Sequence, residues 1–350
     1  VFDQRLEALG GHANAATWLD WTFYHQDLPV NGLEEIITLE ADRLQGLRFE
    51  ADAFEAERSV VANERRECVD DDPGGRMNEA LWRLAFDAEH PYGHPTIGWS
   101  EEIEALTAED CQRFYRQHYQ PSTARIVIAG AIDERYTLDL IEAAYGGLPS
   151  ITPAPSRRKI SGFGAGGRLN LTLPVMAPRL SIGLPAPTAT DQLHLALELL
   201  HQVLFEGDSS RLVSTLLLER GWVSSLYATP PTCRGQGLYE ICAELSPEGS
   251  LEEVEAAIFE ALAKIAQRGL LPAELTKAKR QLELEAWRGL QTVSQRAEGL
   301  GFWSITGGDW SLLYQRPRRL QSIDQDALRE CAALLLSERG RAVVTAQQMR

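Results

Sequence analysis

Two periodicities run along this chain. Residues His12 to Thr17 and Trp21 to Gln26 read as two short strands about a turn at Leu19-Asp20. Asn31-Gly32 then opens an amphipathic helix from Leu33 to Leu47, whose apolar residues Ile36, Ile37, Leu39 and Leu44 recur near the helical period. A second helix is expected from Ala51 to Val69, with Phe54, Val60 and Val61 on its apolar side and Asp72-Pro73-Gly74-Gly75 as its stop. A third covers Arg76 to Ala88. Thr107, with Asp110 three residues on, has the form of a capping box for a helix reaching His118. Arg125 to Gly130 has the continuous apolar character of a buried strand, and Arg135 to Tyr145 that of a further helix.

The second half repeats the theme. Strand-like stretches at Arg168–Leu173 and Arg179–Leu184 precede helices at Asp191–Leu204 and Ser209–Arg220. Strands near Trp222–Thr229 and Gly237–Leu245 follow, then helical segments at Leu251–Arg268, Pro272–Gly289 and Val293–Ile305. A last helix, Asp324–Ser337, leads into a strand at Ala342–Ala346. Between the halves lies a stretch rich in proline and then glycine. The expected organisation is a domain over 1–148, a linker over 149–167 and a second domain over 168–350. The fold class is α+β: two related domains, each a mostly antiparallel sheet packed with helices.

Composition narrows the function. The 350 residues carry 34 Lys+Arg against 50 Asp+Glu, a formal charge of −16. That balance argues against a nucleic-acid binder, which needs a basic patch to displace counterions, and it would attract basic peptides. No run of 18 apolar residues exists, so no membrane span is expected. Cys68, Cys111, Cys233, Cys242 and Cys331 form no C-x-x-C pair, which indicates neither a zinc knuckle nor a disulfide framework.

Few residues suggest chemistry by spacing alone. Glu57 and Glu64 are seven apart on an expected helix and project from nearly the same face. Such a pair could give a metal one carboxylate and support it with the second. Arg58, Arg65 and Arg66 lie close by, so a solvated, salt-bridged face is the plainer account. His90 and His94 have i, i+4 spacing, but Pro91-Tyr92-Gly93 between them is not helix interior, and a structural loop is the plainer account. The Gly162–Gly167 run precedes a strand and not a helix, so it is linker and not a phosphate-binding turn. Asp70-Asp71-Asp72 lacks calcium-loop spacing and reads as a solvated helix exit.

Taken in order, several segments resemble the M16 family of inverted-zinc metallopeptidases, which includes pitrilysin, insulin-degrading enzyme and the mitochondrial processing peptidase. The pieces are Leu9–Thr17, Leu39–Leu44, Phe54–Arg66, His90–Pro95 with Ile97-Gly98-Trp99, Phe114-Tyr115, Tyr119-Gln120-Pro121 and Val127–Gly130. Gly207–Leu212 and Glu219-Arg220-Gly221 resemble the family's second domain. The resemblance implies the metallohydrolase fold of the processing peptidase and a zinc-dependent endopeptidase. Its Glu-x6-Glu pattern makes Glu64 the third zinc ligand and Glu57 its support. The other ligands and the general base belong to an H-x-x-E-H segment that is absent from this chain and precedes Gly10-Gly11 in relatives. That segment lies upstream of Val1 in a longer protein, was cut away, or was lost; the chain from Val1 alone is expected to be inactive.

The resemblance also makes Asn14 and Ala15 part of a sheet edge that pairs with an extended substrate peptide. Relatives that complete their own site carry Arg-x-x-x-Gly-x-x-Tyr in the second domain. Anchored on Gly221, those places hold Leu217 and Ser224. Arg220 and Tyr227 keep the spacing but are shifted by three, which along a regular strand exchanges faces. The expectation is a zinc-type subunit acting on peptides with a second M16-type subunit that brings the arginine and tyrosine. The alternatives are a non-catalytic subunit of the same fold, like the core proteins of respiratory complexes, and a site completed in cis by Arg220 and Tyr227 through a local bulge. The compartment stays open between a bacterial periplasm and the cytoplasm.

Overall fold

The computed structural model describes residues 2–149 and 162–348, so most of the expected 149–167 linker lies outside the described residues. In chain order the elements are α1 (Phe2–Ala8), β1 (His12–Trp18), β2 (Trp21–Asp27), α2 (Leu33–Gly46), α3 (Ala51–Arg65), α4 (Pro73–Ala85), α5 (Ser100–Ala105), α6 (Ala108–His118) and α7 (Glu134–Tyr145). There follow β3 (Gly167–Thr172), β4 (Arg179–Ala186), α8 (Gln192–Phe205), β5 (Val223–Thr229), β6 (Gly237–Leu245), α9 (Leu251–Arg268) and α10 (Pro272–Arg288). The last elements are α11 (Val293–Phe302), α12 (Leu312–Gln321), α13 (Gln325–Leu335) and β7 (Ala342–Gln347). The fold is α+β. No helix among the described residues is long and apolar enough to cross a membrane.

Contacts divide the chain into two compact units that are not contiguous in sequence. The first unites residues 1–63, 98–158 and 289–313; the second unites 64–97, 159–288 and 314–350. In the first unit β1 and β2 form an antiparallel two-stranded sheet with Ala15 opposite Tyr24 and His12 opposite Asp27. Gly10, at φ +77°, makes the turn that leads from α1 into β1, a conformation a residue with a Cβ rarely adopts. Leu6 of α1 packs with Ile36 and Leu39 of α2 in a small core. The capping box of α6 forms as its sequence implies: Thr107 Oγ1 accepts from the Asp110 amide and Asp110 accepts from the Thr107 amide.

The expected strand at Arg125–Gly130 is a correction. The segment joins no ladder among the described residues, and Ile126 is exposed. Apolar, β-branched residues favour an extended backbone, but a strand exists only by pairing with another.

The second unit is built on a five-stranded sheet in the order β3-β7-β4-β6-β5, parallel between β3 and β7 and antiparallel elsewhere. One face sets Leu180, Ile182, Leu184, Ile241 and Ala243 against α8, α9 and α13 in the main core. On the other face α4 covers β3, β7 and β4 with Met77, Leu81, Trp82 and Ala85, all buried. Gly183 makes this close: a Cβ there would stand 3.2 Å from Leu81. Glu240 of β6 ties α4 down further, accepting from Trp82 Nε1 at 2.9 Å and Asn78 Nδ2 at 2.5 Å. A buried ion cluster lies behind the sheet. Glu198 of α8 meets Arg316 of α12 at 2.6 Å and His194 at 3.3 Å.

Candidate metal-ligand helix and peptide edge

The helix that carries both candidate carboxylates is α3, Ala51–Arg65. Seven residues advance an α-helix by about 10 Å and return the side chain to within about 20° of the same direction. Glu57 and Glu64 are both exposed and point from one face. Arg58 and Arg65 of this stretch form ion pairs with other carboxylates. Arg58 reaches Glu55 at 2.6 Å and donates to the carbonyls of Glu104 and Leu106. Arg65 is buried and turns to Glu79 at 2.9 Å and Asp70 at 3.3 Å. Glu57 and Glu64 are left exposed, with no ion pair among the described residues.

The local sequence fixes where α3 ends. Arg66–Asp70 widens into a π-turn, and Asp72 then caps α4, its side chain accepting from the Gly75 amide at 2.7 Å. Gly75 is required there because a Cβ would meet the Cys68 carbonyl at 2.0 Å. Two of the three aspartates thus have structural partners: Asp70 pairs with Arg65 and Asp72 caps a helix.

His90 and His94 do not form a metal pair. His90 is buried, accepts from the Tyr92 amide at Nδ1 (3.0 Å) and stacks on Phe86 at 4.5 Å. Burial lowers its pKa. His94 is exposed and contacts the Pro95 carbonyl. Among the described residues no three His, Cys, Asp or Glu side chains come together as a metal site. Glu64 fits as one carboxylate ligand because it is exposed, ionisable and unpaired.

Asn14 and Ala15 lie in the middle of β1, which is exposed along its whole length. β1 pairs with β2 on one side; its other edge has no strand beside it among the described residues. The Asn14 carbonyl Oδ1 accepts from the Ala15 amide at 2.8 Å.

Behind that edge, β2 is held from both faces by residues the spacing of the sequence does not single out. On one face Tyr24 shares a 2.8 Å hydroxyl contact with Tyr119 of α6, and Gln26 donates to Glu40 of α2 at 2.6 Å. Arg43 pairs with Glu40 at 2.6 Å and lies over the Tyr24 ring at 4.2 Å. Burial raises the Glu40 pKa despite Arg43, and burial plus Glu40 pushes Tyr145 up to about 12. On the other face Trp21 meets Phe302 of α11 edge-on at 6.5 Å, and Asp27 accepts from Ser294 Oγ. Glu40 and Arg43 fall within the Leu39–Leu44 segment, whose sequence gave the only signal of this network.

In the second unit, Leu217 lies in a π-turn, Val213–Glu219, packed against the main core. Ser224 is the extra residue of a bulge: the β5–β6 ladder shifts register between Val223 and Ser225. Its hydroxyl donates to the Glu244 carbonyl at 3.3 Å. The face argument separating Ser224 from Tyr227 assumes an unbroken strand, and the bulge breaks it. Tyr227 sits opposite Cys242, 57% exposed, with its pKa up to about 12 through the thiol beside it and burial. Arg220 lies over the Trp222 ring at 4.2 Å.

Comparison with known proteins fits this arrangement. The family model described as insulinase (peptidase family M16) matches residues 2–98, and that described as the peptidase M16 inactive domain matches 105–282. An uncharacterized zinc protease of Streptomyces coelicolor is 26% identical over 340 residues, covering 95% of this chain and 73% of its own length. The crystal structure of a protease from Helicobacter pylori superposes with a TM-score of 0.90 at 22% identity, over 99% of this chain and 84% of that one. A chain of Complex III2 from Candida albicans has the same fold, with a TM-score of 0.77 at 14% identity, over 96% of this chain and 82% of that one. With more than half the chain matched by one model and most of the remainder by the other, this chain belongs to the M16 peptidase family.

Proposed function

We propose that this chain is the zinc-type subunit of an M16 endopeptidase that cuts peptides or unfolded segments together with a second M16-type subunit. One observation carries the reading. Glu57 and Glu64 stand on one exposed face of α3 and make no ion pair among the described residues, while Arg58 and Arg65 are engaged elsewhere. Both carboxylates are therefore open to a metal ion, which takes oxygen ligands of this kind.

In the complete protein Glu64 would hold the metal together with two histidines, the three-ligand count of open catalytic zinc sites, and Glu57 would support Glu64 from two turns below. Zinc, when bound, supplies a Lewis acid and a water of lowered pKa. The chain's own part is to present Glu64 and to bind the peptide. The open edge of β1 at Asn14 and Ala15 pairs with an extended backbone through main-chain hydrogen bonds, which gives affinity with little sequence preference. The net charge of −16 favours basic segments.

The partner is proposed because Leu217 and Ser224 stand where an arginine and a tyrosine would stabilise the developing oxyanion. Leu217 packs into the core and the Ser224 hydroxyl is engaged by Glu244. These same positions favour a second reading, a non-catalytic assembly subunit. The inactive-domain description of residues 105–282 and the fold likeness to Complex III2 agree with it. Peptidase assays of the full-length protein, alone and with a second M16-type subunit that carries the arginine and tyrosine, separate the two. Cleavage only in the mixture supports the proposal; no cleavage in any mixture, with zinc absent, supports the assembly role.

A further inference from the structure

The peptide edge and the helix that holds it lie far apart in sequence. α11, at residues 293–302, belongs to the same compact unit as the β1–β2 hairpin, some 270 residues earlier along the chain. β1 is the exposed strand of that hairpin and β2 the half-buried one, held by the rest of the unit. A two-stranded hairpin is marginal by itself in water, so β1 has a defined position only as far as β2 is held. The Tyr24, Gln26, Glu40 and Arg43 network grips one face of β2. The other face depends on α11, through Ser294 on Asp27 and Phe302 against Trp21. Asp27 is also the register partner of His12 and contacts its imidazole at 3.6 Å, so the Ser294 contact reaches the first residue of β1 itself.

We propose that α11 is a positioning element for the peptide-accepting edge: Ser294 and Phe302 set β1, and with it the affinity for an extended peptide. This rests on the reading of β1 as the peptide edge. The peptide does not touch α11. The helix acts through Asp27 and Trp21, by restricting β2 so that the open edge of β1 is ordered before the peptide arrives. Ordering the edge in advance removes part of the entropy cost of pairing.

The test uses the full-length protein and a fluorescent, N-acetylated peptide of about ten residues with alternating Lys and Val, long enough to add one strand. Anisotropy gives its Kd, and hydrogen exchange reports the amides of residues 12–18. Ser294→Ala and Phe302→Ala are expected to raise Kd about three- to ten-fold, the size of one lost hydrogen bond or aromatic contact. The β1 amides exchange faster in both. Ser294→Thr, which keeps the hydroxyl, restores Kd to within about two-fold of wild type, a recovery that general loosening of the fold would not give. Wild-type binding with unchanged Kd and exchange in Ser294→Ala overturns the proposal, even where Phe302→Ala fails to fold. If the wild type binds no peptide, the peptide-edge reading falls. In that case exchange still decides the positioning role: faster β1 exchange in Ser294→Ala supports it, and unchanged exchange overturns it.

Discussion

Glu240 offers a sharp test of how α4 is held on the sheet. Its carboxylate is mostly buried and accepts from Trp82 Nε1 and Asn78 Nδ2. Among the described residues no cation contributes to offsetting its burial. Burial therefore raises its pKa, with the Trp82 and Asn78 hydrogen bonds offsetting only part. A carboxyl whose folded pKa lies above its unfolded one keeps a proton in the native state that the unfolded chain has released. Stability then falls as pH rises from the unfolded carboxyl pKa to the folded one, and the penalty is complete above that window. Glu240→Gln keeps an acceptor for Trp82 and removes the charge, and the Asn78 amide can turn to present its oxygen. The expected result at pH 7.5 is stability equal to or above wild type, with the difference vanishing below about pH 4, near the unfolded carboxyl value.

Glu240→Ala makes a different perturbation. Trp82 is 9% exposed, so its indole N–H loses its acceptor where water scarcely reaches. An orphaned buried donor costs about 1–3 kcal/mol, and α4 is expected to loosen accordingly. Urea denaturation of both variants at pH 7.5 and pH 4.5, followed by tryptophan fluorescence, measures the pair. A Gln variant less stable than wild type by more than about 1 kcal/mol, or an Ala variant that loses nothing, would refute this account of the α4 anchor.

Two further predictions concern the candidate site. Glu57→Gln is expected to lower activity or metal affinity by about 10–100-fold with an unchanged unfolding midpoint, because it acts by orienting Glu64; wild-type activity would return Glu57 to an ordinary solvated residue. The full-length protein alone is expected to be a poor peptidase, rescued by a partner bearing the arginine and tyrosine. Strong activity of the lone chain that Arg220→Ala and Tyr227→Phe both abolish would instead place those functions in this chain, with the bulge at Ser224 as the means.

Much of the fold is legible in the sequence for local reasons. The β1–β2 hairpin follows from two short strands about Leu19-Asp20, and α6 from Thr107 and Asp110, whose reciprocal bonds need only four residues. α12 escapes the reading because Pro317 lies inside it and a proline usually marks a helix end. Arg125–Gly130 has the composition of a strand, yet pairing is a property of two segments and composition describes one. The bulge at Ser224 is equally silent, since one extra residue in a ladder shows only against its partner strand. At the candidate site, the seven-residue spacing of Glu57 and Glu64 is visible in the sequence. Whether the adjacent arginines neutralise them is not, because Arg58 pairs with Glu55 and reaches the Glu104 carbonyl 46 residues away, and Arg65 pairs with Glu79 14 residues away. The grip of α11 on the hairpin is long-range in the same way: nothing in the periodicity of residues 293–302 says which strand they face.

The central claim is that Glu64 is a metal ligand, and zinc content tests it most directly. Full-length wild-type protein and Glu64→Gln are purified without added metal, dialysed against a trace of zinc and analysed by atomic absorption alongside circular dichroism. The account predicts about one zinc per wild-type chain and a large loss in a folded Glu64→Gln variant, because an open catalytic site holds its metal with three protein ligands. Equal zinc in the two proteins, or none in either, would contradict it.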